Sequence, residues 1–566
     1  MFIFYDFEVF KYDWLVVFKN GDKYTTIIND LEQLKSYMNR AKSSILVGFN
    51  NYKYDDLILS SLLLGKIPYK VSQRILNKEK VNYKLNMITL DAMQELPLNV
   101  GLKDCQCNMG ESIIECPVDF NINRKLTKDE LWLVEHYCKN DVRSTEKIFK
   151  LRENYFSSKF ELVKEFNLPL DALKYTRAVL TSTILKCNNI KQYNDRLHID
   201  FVDNINWDII PSEIKDFYKK CEYDYKCGGN FEEIEKRKLQ LNIAGILHTY
   251  AFGGLHGAIN NYIGSGNYLH IDVESFYIML IINFGFMSRN SLDPDLFKKI
   301  KEMRFKLKRE NNPKHKIYKI VLNATYGAMK SKFNKLFDPR MANNICVNGQ
   351  IIITQLILEL QNYCMLIQTN TDGIIVKYNP SNYNTIINII NDFGKRFNMS
   401  FATDKITKIA QRDVNNYVIQ FENGEIEGVG CFKNFAGGTG ERNSLTIIDK
   451  CLVNHYIYDK PIEETILDCW KNYDLLPFQI LAKMGSTYNG MYFEYDGEMI
   501  ETQKVNRVFA SKDNKFGGIY KKKGESYQKI ANTSEHSYIY NGNFSNFDKS
   551  LIDLDYYINL AKKQLF

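Results

Sequence analysis

The feature that most constrains this chain is a block of positive charge near its middle. Residues 298 to 335 include thirteen Lys or Arg and two Glu, a local net charge of +11 in a chain that carries +7 overall. Cations one helical turn apart, such as Arg304 and Lys308, and a break at NNPKH (311–315) predict two helices joined by a turn. Such a hairpin must face either solvent or a polyanion such as phosphate.

Composition sets the broad class. The 566 residues are 45% hydrophobic and 25% charged, which is typical of a globular protein with large cores and excludes disordered and fibrous chains. The length predicts about four domains. We find no apolar run of about 18 residues that would span a membrane, and MFIFYDFEVF lacks the basic start of a secretory signal. We therefore expect a soluble, intracellular protein, a monomer with no membrane partner.

The twelve cysteines include one tight cluster, Cys105, Cys107 and Cys116. No Cys-x-x-Cys pair occurs in the sequence. Reduced thiols are therefore favoured over a zinc site.

Acidic residues in the first third lie in three short patterns. Met1 to Val9 is predicted to be a strand, which puts Asp6 and Glu8 on the same side. A second apolar strand, residues 45–49, precedes Asn51-x-x-Tyr-Asp55. A helix predicted to begin after Thr127, with Glu130 completing a capping box, places Tyr137 one turn before Asp141. Taken singly, each pattern is also typical of an ordinary polar surface.

In this order the patterns resemble the three motifs of the DEDD 3′–5′ exonucleases, in the subclass with Tyr in the last motif. Phosphodiester hydrolysis by two metals about 4 Å apart needs several carboxylates. The resemblance implies an RNase H-like domain in which Asp6, Glu8, Asp55 and Asp141 bind the metals. It also implies that Tyr137 orients the attacking water and that Asn51 contacts a single-stranded 3′ end; Asn50 is the alternative if the spacing is one residue longer.

Three segments in the middle of the chain form a second set. YLHIDVESFYIML (268–280) is an apolar strand that leads to Asp272. KIVLNATYG (319–327) has Lys319, Asn323 and Tyr326 at helical spacing. LIQTNTDGIIVK (366–377) has two apolar runs around Asp-Gly, a hairpin signal.

These segments resemble motifs A, B and C of the family B DNA polymerases, and the length and short fingers resemble the compact bacteriophage enzymes. The resemblance implies that Asp272 and Asp372, with the carbonyl of Val273, hold two Mg²⁺, for which Mn²⁺ can substitute. It assigns the remaining roles by residue. Arg304, Lys308 and Lys319 would bind the triphosphate, and Tyr277 would exclude a 2′-hydroxyl. Asn323 and Tyr326 would shape the nucleotide pocket. Gly253, Gly254 and Tyr417 would contact DNA.

Four residues depart from the family patterns. Asn370 replaces the first acid of motif C, Gln368 its tyrosine and Gly373 its serine, while Ile278 replaces the proline of motif A. Asn370 removes one negative charge near the expected metals. Asp372 is therefore expected to be the indispensable acid of this motif.

The resemblance also implies the organisation of the chain. The fold class is mixed, α/β and α+β, with an exonuclease domain and a right-hand polymerase of palm, fingers and thumb. The expected ranges are exonuclease 1–165, helical connecting region 166–245, first part of the palm 246–297, fingers 298–336, second part of the palm 337–430 and thumb 431–566. Arg507, Lys512 and residues 521–523 of the thumb are either phosphate contacts or ordinary surface charge.

The expected activity is DNA replication, with a phage genome in a bacterial cytoplasm as the expected setting. The expected partners are primer-template DNA and dNTPs, and other replication proteins are possible further partners. Gaps of 46 residues between Asp272 and Lys319 and 42 between Gly327 and Asn370 leave little space for the insertions of protein-primed relatives. They favour a nucleic-acid primer. Two alternatives stay open: a nuclease with a degenerate polymerase half, and a non-enzymatic nucleic-acid-binding protein.

Overall fold

The computed structural model describes residues 1–187, 193–434 and 445–566. The chain divides into two compact units. The first unit contains Met1–Thr176 and Ile462–Gln564, together with a short segment that ends at Cys451. The second contains Arg177–Asn434, Leu452–Pro461 and the two C-terminal residues.

A five-stranded sheet forms the centre of the first unit. Its strands are ordered β3-β2-β1-β4-β5, antiparallel from β3 to β1 and parallel from β1 to β5. The strands are β1 (Phe2–Val9), β2 (Trp14–Asn20), β3 (Lys23–Ile28), β4 (Ile45–Gly48) and β5 (Thr89–Asp91). The helices are α1 (Leu31–Arg40), α2 (Asp55–Leu63), α3 (Pro68–Leu76), α4 (Leu102–Asn108), α5 (Lys128–Leu151) and α6 (Glu153–Glu165).

Helix α5 begins where the sequence predicts. Thr127 accepts a hydrogen bond from the backbone N–H of Glu130, and the Glu130 carboxylate accepts one from the N–H of Thr127. This capping box satisfies two of the free donors at the helix start. The helix packs across β1 and β2, so its buried face meets the strand that carries Asp6 and Glu8.

The second unit is built on a nine-stranded antiparallel sheet, ordered β14-β13-β12-β9-β11-β10-β8-β7-β6. The strands are β6 (Leu239–Ile243), β7 (Ile246–Tyr250), β8 (His256–Ala258), β9 (Tyr262–Val273), β10 (Cys364–Asn370), β11 (Gly373–Tyr378), β12 (Phe401–Asp413), β13 (Asn416–Phe421) and β14 (Ile426–Val429). Its helices are α7 (Arg177–Ile184), α8 (Ser212–Lys226), α9 (Phe231–Ile234), α10 (Phe276–Asn283), α11 (Pro294–Arg309), α12 (His315–Lys330), α13 (Pro339–Leu360) and α14 (Tyr383–Phe397). The first strand, β6, lies within the region predicted to be helical.

The cationic block forms the predicted helical hairpin. Helices α11 and α12 pack against each other, and α12 also packs against α7. The turn between them includes Asn311, whose positive φ of 51° is the left-handed conformation that asparagine tolerates well.

Helix α13 is a buried helix with a row of amides along it. Asn344, Asn348 and Gln355 each accept a hydrogen bond of 3.0 Å from a backbone N–H, those of residues 200, 202 and 206. By length and mean hydropathy, 1.2, this helix could cross a membrane, but 94% of its most apolar window is buried inside the protein. The expectation from the sequence concerned a run of about 18 apolar residues, and residues 339–360 are not such a run because uncharged amides interrupt them.

The last part of the chain adds two small sheets to the first unit. Helix α15 (Thr446–Tyr458) and helix α16 (Ile462–Lys471) precede strands β15 (Ile480–Lys483), β16 (Gly490–Tyr495), β17 (Glu498–Thr502), β18 (Val505–Ala510), β19 (Phe516–Lys523), β20 (Ser526–Lys529) and β21 (Ser537–Ile539), and helix α17 (Leu554–Lys562) follows. The sheets are ordered β15-β18-β21 and β17-β16-β19-β20.

Candidate active sites

The first candidate site lies where β1, α2 and α5 meet in the first unit. Adjacent carboxylates of β1, Asp6 and Glu8, lie beside the thiol of Cys138 on α5, with ligand atoms of all three within 4.8 Å of one another. Among the described residues this is the one group of three metal-ligating side chains found this close. Cys105, Cys107 and Cys116 do not form such a group within the described part of the chain.

Asp55 joins this site from the first turn of α2. The backbone N–H of Phe7 donates to its Oδ1 at 3.1 Å, which fixes the carboxylate against β1. Burial raises the pKa of Asp55 to about 8, and burial with the facing carboxylates raises the pKa of Asp6 and of Glu8 well above their usual range. Ionising several clustered carboxyl groups together is costly, and a cation bound between them would stabilise their charged forms.

Asn51 and the adjoining acid Asp56 form a separate buried network. The Asn51 amide donates to Asp56 Oδ1 at 2.9 Å, Thr89 donates to Oδ2 at 2.6 Å, and the Tyr5 hydroxyl donates to the same carboxylate. Asn51 is fully buried, so its side chain does not face a DNA strand in this structure. The half-exposed neighbour Asn50 holds a left-handed φ of 60°.

Asp141 and Tyr137 lie on the same face of α5, one turn apart, as predicted. Asp141 accepts hydrogen bonds from Lys103 at 2.6 and 2.9 Å and from the Gln106 amide at 2.9 Å. The Lys103 ammonium also lies 4.5 Å from the centre of the Tyr137 ring. Burial, followed by the Asp141 charge, raises the pKa of Tyr137, so this hydroxyl stays protonated at neutral pH.

Sequence reasoning missed Lys103 and Gln106. They lie on α4, between the second and third acidic patterns, and no spacing rule links them to Asp141. Their only sequence signal is a polar pair at i and i+3 on a short helix.

The second candidate site is an open cavity of about 530 Å³ in the second unit. It joins the end of β9, the start of α10, the hairpin β10–β11 and helices α11 and α12. Every residue predicted to hold metal or nucleotide at the polymerase site lines it: Asp272, Val273, Tyr277, Arg304, Lys308, Lys319, Asn323, Tyr326 and Asp372.

Asp272 and Asp372 lie side by side because β9 pairs with β11. Asp272 is opposite Gly373, and the N–H of Val273 donates to the carbonyl of Asp372 at 2.9 Å. A Cβ on Gly373 would lie 3.0 Å from Oδ1 of Asp272, so glycine at this position leaves room for the carboxylate. Burial and the Asp372 charge raise the pKa of Asp272 to about 7, and burial raises that of Asp372.

Arg304 brings a buried cation to the same cavity. Its Nη1 donates to Ser275 Oγ at 3.1 Å, while its buried Nε has no hydrogen-bond partner among the described residues. An unpaired buried donor is costly unless an acceptor binds there. Together with Lys308 and Lys319, this geometry suits a bound polyphosphate.

Two stacked tyrosines form one wall of the cavity. The rings of Tyr277 and Tyr326 have centroids 4.2 Å apart and planes inclined by 27°. Tyr277 is the second residue of α10, and Ser275, just before the helix, has a left-handed conformation with a φ of 58°. That turn aims the Tyr277 side chain across the cavity at α12.

The loop that contains Gly253 and Gly254 lies near the β10–β11 hairpin, as does Tyr417, and none of these residues lines the cavity. A Cβ on Gly254 would lie 2.3 Å from Thr371 Oγ1, whereas a Cβ on Gly253 would meet nothing within 4 Å. The side chain of Asn370 interacts with Tyr417 and with His256, opposite it on β8. Tyr417 is 7% exposed, so it supports the hairpin more than it offers a surface to DNA.

The alternatives offered for Arg507 are both wrong. This side chain is fully buried in the first unit and bonded to protein carbonyls, so it is neither a phosphate contact nor surface charge. Lys512 and residues 521–523 lie at or near the surface.

Comparisons with known proteins add a limited likeness. No family model matches the sequence, and no curated protein matches it. Among solved structures, the family B DNA polymerase from the hyperthermophilic archaeon Pyrobaculum calidifontis is similar over 100% of this chain and 77% of its own, with a TM-score of 0.45 and 12% sequence identity. The likeness is weak.

Proposed function

We propose that this protein is a DNA-directed DNA polymerase of the family B type with a 3′–5′ proofreading exonuclease. The observation that carries the proposal is the cavity at the end of β9. Residues that lie up to 130 positions apart in sequence line it together, and they include the paired carboxylates of Asp272 and Asp372, three cations and two stacked tyrosine rings. That combination suits a nucleoside triphosphate and a primer end.

At the polymerase site, Asp272 and Asp372 would hold two Mg²⁺ with the carbonyl of Val273. Oxygen ligands alone suit Mg²⁺. When bound, such ions favour ionisation of an attacking hydroxyl and stabilise the leaving oxygen.

The chain's own residues would bind and orient the substrates. Arg304, Lys308 and Lys319 neutralise the triphosphate and hold it along the α11–α12 hairpin. The Tyr277 ring, fixed by Tyr326, fills the space that a 2′-hydroxyl would need. Asn323 lies between Lys319 and Tyr326 on α12 and completes the nucleotide pocket.

At the nuclease site, Asp6, Glu8, Asp55 and Asp141 offer the carboxylates that two divalent cations would need. The buried acids with raised pKa values support this use, because cations would relieve their mutual repulsion. Tyr137, protonated and close to Asp141, would orient a water by hydrogen bonding. Lys103 holds Asp141 in place and is available to stabilise a developing negative charge.

The remaining assignments rest on the resemblance. We propose DNA replication of a phage genome in a bacterial cytoplasm, a nucleic-acid primer, a monomeric enzyme and Gly253 and Gly254 near the template. Mn²⁺ would substitute for Mg²⁺ at both sites. Contacts with other replication proteins belong to the same proposal.

A labelled primer-template tests both activities. With Mg²⁺ and four dNTPs we expect a longer primer, with Mg²⁺ alone a shorter one, and with EDTA no change. The second candidate, a nuclease with a degenerate polymerase half, is favoured by the uncharged Asn370 and predicts shortening under both Mg²⁺ conditions. Binding with no turnover would contradict both and leave a non-enzymatic nucleic-acid-binding protein.

A further inference from the structure

Helix α4 supplies the nuclease site with Lys103 and Gln106 and is held from its other side by the C-terminal part of the same unit. These contacts join residues 99–115 to residues 479–507, which are about 400 positions away in sequence. They concentrate at the two ends of a helix only seven residues long. So short a helix has little stability of its own and depends on such contacts.

Arg507 is the main contact at the C-terminal end of α4. Its guanidinium is fully buried and donates to the carbonyls of Cys107 at 3.2 Å, Glu111 at 2.8 Å and Gly542 at 2.7 Å, and to Gln479 Oε1 at 2.8 Å. A buried cation is tolerated only when its donors are paired. Its charge also lies where the carbonyls of a helix end favour a cation.

Gln479 and Lys483 extend the same attachment. The Gln479 amide donates to the carbonyl of Cys107 at 3.2 Å. At the other end, the Lys483 ammonium lies 2.6 Å from Asp104 Oδ1 and 2.6 Å from the carbonyl of Asn99. Asp104 in turn accepts from the N–H of Gly101, at the start of α4, at 2.8 Å.

We propose that Arg507, assisted by Gln479 and Lys483, is a positioning residue of the nuclease. It acts through α4, keeping Lys103 on Asp141 and above the Tyr137 ring. This inference rests on the proposed nuclease function. It makes the segment 479–507, assigned from the sequence to the polymerase thumb, a structural part of the nuclease site.

The test compares Arg507→Met and Lys483→Met in the full chain, each alone and combined with Lys103→Met. We expect Arg507→Met to lower kcat for degradation of single-stranded DNA by about 10- to 100-fold, the usual range for groups that orient ligands, with KM little changed. In the Lys103→Met background the same substitution should cause no further loss, because its effect passes through Lys103. Lys483→Met should show the same pattern with a smaller loss.

Lys549→Met is the matched control. This ammonium also donates to a carbonyl, that of Trp470 at 3.0 Å, in the C-terminal part of the unit but with no contact to α4 among the described residues. Its nuclease rate should equal that of the unsubstituted protein. Hydrogen exchange provides a readout without catalysis, since residues 101–111 should exchange faster in Arg507→Met and not in Lys549→Met.

Equal fold losses in the presence and absence of Lys103 would overturn the inference, as would slow exchange at residues 101–111 in a folded Arg507→Met protein. If Arg507→Met does not fold, the same comparisons with Lys483→Met decide the question. If the unsubstituted protein degrades no DNA, the proposed nuclease function fails, and exchange at residues 101–111 still supports or overturns the attachment of α4.

Discussion

Asp372 and Asn370, two residues apart on one turn, face different neighbours. Asp372 stands beside Asp272 in the cavity, while Asn370 interacts with His256 on β8 and with Tyr417 on β13. The uncharged residue of the pair therefore lies at the position that supports the hairpin, and a carboxylate remains beside Asp272.

Asp372→Asn should abolish nucleotide incorporation, with a rate at least about 100-fold lower, because one of two carboxylates that would hold the metals is lost. Degradation of single-stranded DNA should be unchanged. The measurement is extension and shortening of a labelled primer by the same preparation. Asp392→Asn, the same change at an exposed acid of α14, is the control, and an active Asp372→Asn protein would refute the assignment of this site.

Tyr277→Ala should weaken discrimination against ribonucleotides. Removing the ring opens the space beside Tyr326, so the ratio of rNTP to dNTP incorporation should rise at least about tenfold. Single-nucleotide incorporation kinetics with matched dNTP and rNTP pairs measure it. Tyr262→Ala, a substitution of a tyrosine on β9 remote from the cavity lining, should leave the ratio unchanged.

Prediction from the sequence succeeded at this scale where chemistry follows local spacing. Asp6 and Glu8, or Tyr137 and Asp141, share a face because the period of a strand or helix requires it. Asn51, Lys103 and Arg507 were misplaced or missed because their partners are set by tertiary packing. Nothing in the neighbourhood of Arg507 in sequence indicates that four buried acceptors surround it.

At the scale of elements, two adjacent glycines in the loop before β8, Gly253 and Gly254, differ in the space around them. Gly254→Ala would place a Cβ 2.3 Å from Thr371 Oγ1, so the Thr371 side chain, the loop or the hairpin must move. We expect a loss of about 1–3 kcal/mol in the free energy of unfolding and slower nucleotide incorporation. Gly253→Ala has open space and should unfold at the same denaturant concentration as the unsubstituted protein.

These two variants also test the DNA contact proposed for the loop. Weaker primer-template binding by Gly253→Ala, with unchanged stability, would support close approach of DNA at this glycine. Equal stability of the Gly254→Ala and Gly253→Ala proteins would contradict the steric explanation.

Elements with local signals were predicted well. Thr127 and Glu130 mark the start of α5, NNPKH separates α11 from α12, and Asp-Gly marks the hairpin β10–β11. The order of the nine-stranded sheet could not be predicted from the sequence, since β9 pairs with β11 and β12 across about 100 to 150 residues. Strand pairing at such separation depends on packing that no local pattern records.

For the whole molecule, each compact unit contains one of the two acidic clusters. Asp6 and Glu8 belong to the first unit, and Asp272 and Asp372 to the second. The two proposed activities should therefore be separable by substitution.

Asp6→Ala combined with Glu8→Ala should remove metal-dependent degradation and leave primer extension within about twofold, because effects of substitutions are independent where the residues share no partners. The expected consequence for fidelity is a higher frequency of retained mismatches, measured by extension from a mispaired primer end. Asp22→Ala with Glu32→Ala, two exposed acids of the same unit, serves as the control. Loss of both activities in the first pair would show that the sites are not independent.

The amides of α13 read the backbone of residues 200–206, and every residue except proline offers the same N–H. Homologous chains could therefore vary the side chains of this segment with little penalty, whereas a deletion of one residue would put the N–H groups out of step with Asn344, Asn348 and Gln355. Among related proteins, we therefore expect the length of residues 200–206 to be conserved more strictly than the identity of the residues.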